Sequence, residues 1–168
     1  MMSADSASVA RFDRQPVAEA TALLRPVCAS QRWIAHLIEG RPYGTIDALM
    51  SASDVALSSL EWDDIHQALS AHPRIGDRPT GADRESAWSR EEQSAAPRTD
   101  AQDELRAANA EYEHRFGHVF LICATGRTTA QILGALRQRL ENDPVTERSV
   151  VQSELRDIVR LRLAKTFT

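Results

Sequence analysis

The stretch "VQSELRDIVRLRL", Val151 to Leu163, decides how this chain is read. Val151, Leu155, Ile158 and Arg162 follow one another at spacings of four, three and four residues. That rhythm keeps one face of an α-helix in register, because 3.6 residues complete a turn. Arg162 falls on the centre line of the apolar stripe, while its neighbour Arg160 points to the opposite side. A guanidinium cannot shed its charge, so one that faces inward needs company. A protein carboxylate, a route for the side chain back to the surface, or an anionic or planar ligand would each supply it.

The same helical rhythm recurs along most of the chain. Pro16 suits the first turn of a short helix ending at Leu24, and Pro26 interrupts the chain just beyond it. A second helix is expected over about Ser30–Glu39, stopped by Gly40 and Pro42, and a third over about Thr45–Ser58. "LEWDDIHQALSA" places Trp62, Ile65 and Leu69 at helical spacing from about Glu61 to Ala71. Further helices are expected over about Asp100–Arg115, closed by Gly117, then over Thr128–Glu141, and from about Pro144 to the end. "VFLICA", Val119–Ala124, is too short for a helix and reads as a buried extended link. The roughly 25 residues from Gly76 to Asp100 are rich in Gly, Pro, Asp, Arg and Ser, and loops of that length are usually functional or disordered. There is no internal repeat. The expected fold is all-α, a single-domain helical bundle of about seven to eight helices over residues 12–168, with residues 1–11 a disordered lead-in.

Composition narrows the function. Apolar residues make up 42% of the 168 and charged residues 26%, which is ordinary for a soluble globular chain. A net charge of −4 supplies no basic footprint for a nucleic acid. Cys28 and Cys123 are far apart in sequence and lack CxxC spacing, which argues against a disulfide framework and a thiolate metal site. No run approaches the ~18 apolar residues of a membrane span. "MMSADSASVA" has no basic-then-apolar pattern of a secretory signal, so a cytoplasmic location is expected.

The residues able to carry chemistry are few. Proline disfavours the α conformation in the residue before it, so His72, followed by Pro73, should leave its helix extended. Partial negative charge at the helix end favours a protonated ring there. An ordinary helix exit would look the same. His114 and His118 have metal-like spacing, yet Gly117 breaks the helix that would align them. "SREEQS", Ser89–Ser94, has the form of a capping box, with Ser89 answered by Glu92 three residues on; the same groups could face a ligand. A histidine, a carboxylate and an inward arginine, without a phosphate loop or a nucleophile elbow, suit acid–base work on a small anionic molecule.

These residues also carry a resemblance. "HPRIG" (His72–Gly76) paired with "SREEQ" (Ser89–Gln93) resembles the 2-oxo-4-hydroxy-4-carboxy-5-ureidoimidazoline (OHCU) decarboxylases of urate breakdown. "YEHRFGHVFLICATGR", "ILGALRQRLEN" and "IVRLRL" agree, so the likeness is collinear from about Phe12 to Leu163. It implies an all-α, usually dimeric enzyme that needs no cofactor and no metal. Its catalytic histidine falls on His72, its carboxylate on Glu92 and its substrate-holding arginine on Arg162. Substrate contacts fall on Pro73, Ser89 and Gln93, and on Phe120, Leu121, Ile122, Cys123 and Ala124 largely through their backbone. In some organisms a transthyretin-like hydroxyisourate hydrolase is fused to this domain, and 168 residues are too few for both. A helical interaction module without activity, or a lyase of the same fold acting on another ureido compound, are the rival readings. The module would need neither an inward Arg162 nor a His72 beside a polar loop.

Overall fold

The computed structural model describes residues 4–76 and 100–168, and among these it contains eight helices and no strand. They are α1 (Ala4–Arg14), α2 (Val17–Leu24), α3 (Gln31–Glu39), α4 (Ile46–Ser58), α5 (Trp62–Ser70), α6 (Ala101–Phe116), α7 (Thr129–Leu140) and α8 (Pro144–Phe167). Several helix starts follow from side chains that satisfy the orphan backbone groups of a helix end. Ser30 Oγ accepts from Trp33 N at 3.3 Å and Thr45 Oγ1 from Ala48 N at 3.2 Å, starting α3 and α4. Thr128 and Gln131 form a reciprocal capping box that opens α7. Gly117 closes α6 in the left-handed region at φ 77°, its N–H donating to Glu113 O at 2.8 Å.

One element departs from expectation. The lead-in expected over residues 1–11 is helical from Ala4 onward, and Val9 and Phe12 of α1 are buried. Phe12 meets Phe167 edge to face, with ring centroids 5.3 Å apart. Two apolar residues three positions apart are enough to seat a helix when a partner ring is waiting, but too few to reveal it by periodicity.

The chain divides into two compact units. One comprises the residues through Ala68 together with Arg156–Thr168. Trp33 is wholly buried there, and its indole N–H donates to Ser53 Oγ at 3.0 Å, tying α3 to α4. Arg160 grips Asp54 from α8 with Nε 3.0 and 3.1 Å from the two carboxylate oxygens. The other unit, Leu69–Leu155, is built on a cluster in which Leu105 and Tyr112 of α6 meet Ile132 and Leu136 of α7. Ile75, Phe120, Ile122 and Ala124 join that cluster from outside the helices.

Candidate active site

His72 stands two residues beyond α5, where its own N–H donates to Leu69 O at 2.9 Å and finishes the turn. Pro73 then ends any continuation. The residue is 8% exposed, so it is turned into the protein rather than left on the surface. The next residues fasten the turn to α6. Arg74 makes a forked ion pair with Glu113, Nη2 to Oε2 at 2.9 Å. Ile75 enters the apolar cluster, and its carbonyl accepts from the buried Asn109 Nδ2 at 2.7 Å. Gly76 takes φ +90°, and a Cβ there would lie 3.1 Å from Leu105 Cδ2, so both backbone freedom and close approach call for glycine. The histidine is thus held by its neighbours on a short rigid mount.

The link Phe120–Ala124 lies in the same unit. Phe120, Ile122 and Ala124 all enter the cluster that holds Ile75. Arg139 of α7 donates from Nη1 to Leu121 O at 2.7 Å, and its guanidinium lies 4.4 Å from the Phe120 ring centroid. Glu154 of α8 accepts from Cys123 N at 2.7 Å. Arg139 is 7% exposed and paired with Glu147, which is fully buried; Nε and Nη2 reach the same carboxylate oxygen at 2.9 and 2.6 Å. Asn142 Nδ2 donates to the other oxygen at 2.9 Å, and the Tyr112 hydroxyl bonds to the first. Burial, together with this bond to Glu147, pushes the Tyr112 phenol above its usual range, so it remains a donor.

Arg139 and Glu147 have no part in the sequence expectations, although the signal was available. Ile132, Leu136 and Arg139 are spaced by four and three on one helix, the same cue that turns Arg162 inward. Glu147 lies four residues before Val151 and extends the α8 stripe by one step. Glu154 leaves no comparable mark, since it flanks that stripe rather than lying on it.

Arg162 is fully buried in the unit that holds α1 to α4, and its Nη1 donates to Pro26 O at 3.2 Å. His72, Pro73 and Phe120–Ala124 fall together in the other unit. Ser89, Glu92 and Gln93 lie outside the described residues. His114 is exposed while His118 is buried, and no group of three metal-ligating side chains occurs among the described residues.

The sequence profile of the OHCU decarboxylase family matches residues 13–164. The chain belongs to that family. The family member from Amia calva, a 2-oxo-4-hydroxy-4-carboxy-5-ureidoimidazoline decarboxylase, is 34% identical over 142 residues, covering 82% of this chain and 78% of its own. The uric acid degradation bifunctional protein TTL of Arabidopsis thaliana is 35% identical over 146 residues, and the chain spans only 45% of its length. A crystal structure of OHCU decarboxylase in the presence of (S)-allantoin superposes with a TM-score of 0.74 at 32% identity, over 86% of this chain and 96% of that one. A crystal structure of (S)-allantoin synthase reaches a TM-score of 0.71 at 20% identity, which speaks for the fold. The all-α expectation is met on both counts.

Proposed function

We propose that this member of the OHCU decarboxylase family converts 2-oxo-4-hydroxy-4-carboxy-5-ureidoimidazoline to (S)-allantoin, without a cofactor. The observation that carries the reading is a family match spanning residues 13–164 in a chain whose HPRIG histidine is buried on a braced turn.

The substrate explains why the protein can be so sparing. One ring carbon bears both a hydroxyl and a carboxylate, and the adjacent ring carbon, carrying the ureido group, is an imine. When CO2 leaves, the electron pair of the broken bond forms a double bond between these carbons, and the imine electrons move to nitrogen. That nitrogen takes up one proton from solvent, making good the negative charge of the lost carboxylate. The hydroxyl gives up its proton as the carbonyl forms, and the ureido carbon gains one as the new stereocentre. The molecule is its own electron sink, so the protein's work is orientation and proton transfer. His72 and Glu92 are the proposed acid–base pair at the hydroxyl and the reacting carbon. Arg162 is proposed to hold anionic or carbonyl oxygen. Pro73, Ser89, Gln93 and the backbone of Phe120–Ala124 are proposed to contact the ring and ureido group. Support for the backbone role comes from Ile122, a buried residue for whose N–H and C=O no described residue supplies a partner.

The test is optical. Freshly generated OHCU is mixed with the protein, its absorbance decay is followed, and the chirality of the allantoin is read. Faster decay with (S)-allantoin accumulating is expected. Spontaneous-rate decay with intact protein would leave the inactive interaction module as the reading, and activity on a different ureido compound alone would favour the second lyase. A cytoplasmic homodimer is also proposed, on the family's habit; equilibrium sedimentation of the purified chain at twice the monomer mass is the expected result. No helix among the described residues is long and apolar enough to cross a membrane.

A further inference from the structure

In an extended chain, alternate side chains share a face, and the N–H and C=O of alternate residues share an edge. Phe120, Ile122 and Ala124 all enter one apolar cluster, so the link between α6 and α7 follows that alternation. Its backbone is gripped at the residues in between. The Leu121 carbonyl accepts from Arg139 Nη1 at 2.7 Å, and the Cys123 N–H donates to Glu154 Oε2 at 2.7 Å. Both grips fall on the same edge, one on a carbonyl and one on an N–H two residues later. The N–H and C=O of Ile122 therefore belong to the opposite edge.

We propose that Glu154 and Arg139 are positioning residues for substrate binding. By holding the backbone on either side of Ile122 they fix where its N–H and C=O point. A neighbouring donor and acceptor fixed in this way match the N–H and C=O of a cyclic ureide. The inference rests on the proposed role of Phe120–Ala124 as a substrate contact. Each grip has ionic character, which makes it stiffer than a neutral hydrogen bond. Arg139 is itself locked by Glu147, so its position carries little freedom. Neither residue need touch the substrate; each acts through the peptide it holds.

Steady-state kinetics of the full chain on freshly generated OHCU test the proposal, alongside thermal unfolding and pH–rate profiles. Glu154→Ala should lower kcat/KM about tenfold, mainly through KM, with the profile and melting temperature close to wild type. Glu154→Gln keeps a carbonyl oxygen for the Cys123 N–H and should return kcat/KM to within about threefold of wild type. Arg139→Lys keeps a cation for Glu147 but loses the fork, and should also raise KM. Wild-type kcat/KM in Glu154→Ala would overturn the proposal. So would a Gln variant as impaired as the Ala variant, because charge rather than grip would then matter. Should the Ala variant fail to fold, Arg139→Lys decides: a raised KM is expected, and a wild-type KM would overturn the proposal. An inactive wild type would overturn the decarboxylase reading itself, whereas an active wild type with unaffected variants would overturn only this inference.

Discussion

Replacing His72 by alanine removes an imidazole but leaves its turn attached through Arg74, Ile75 and Asn109. The fold should therefore survive, while the rate falls by about 10²–10⁴-fold, the usual contribution of a positioned acid or base. Circular dichroism and turnover on the same sample check this, and wild-type turnover would remove His72 from the chemistry. Arg139 poses the reverse case. Arg139→Leu strands a fully buried Glu147 carboxylate and should cost about 3–5 kcal/mol by urea denaturation, with Arg139→Leu/Glu147→Leu recovering part of it. The two buried arginines differ in how far sequence exposes them. Arg162 is legible because four points of one stripe lead to it. Arg139 ends a shorter stripe, and its carboxylate partner sits on a different helix, so no spacing within one segment announces the pair.

Helices end where local chemistry stops them, and that chemistry is what a sequence displays best. Ser30, Thr45, Thr128 and Gly117 each mark a boundary in the sequence and cap it in the structure. The amino end of α1 has no such announcement, and its helix depends on contacts with residues at the far end of the chain. Gly117 offers a clean measurement. Nothing lies within 4 Å of a Cβ built there, so Gly117→Ala carries only the left-handed backbone penalty, about 1–2 kcal/mol by denaturation. Gly117→Asn should cost less, because asparagine tolerates that region. At the start of α8, the Asp143 carboxylate accepts from Val145 N and Thr146 N, both at 3.0 Å, and from the Thr146 hydroxyl at 2.6 Å. The hydroxyl bond and the backbone bonds from Thr146 and Val145 hold its carboxyl below the usual range. Its folded pKa is depressed, so its stabilisation is complete above the unfolded value and is lost as pH falls through the folded one. The difference in stability between wild type and Asp143→Ala should accordingly be constant near neutrality and shrink as acid is added below about pH 4.

At the scale of the molecule, the all-α class and the order of the helices from α2 onward among the described residues are legible, since each rests on periodicity and punctuation within short windows. The division into two units is not, because contacts between distant segments define it. The candidate site follows the same rule. His72 and Arg162 stand out by local pattern, while the supports at Asn109, Glu147 and Glu154 depend on what another segment brings to them. Because the substrate accepts its own electrons, the purified chain should keep its full decarboxylation rate after exhaustive dialysis against EDTA; a rate lost there and restored by a divalent cation would contradict the proposed mechanism.

The carboxylate of Glu147 gathers donors from Arg139, Tyr112 and Asn142. Such a knot has a consequence for descent. A lineage that loses one of these residues leaves its partners buried and unanswered, so single steps away are penalised while joint replacement is not. The four positions should drift as a set, and chains that depart at Glu147 should carry compensating changes at Arg139.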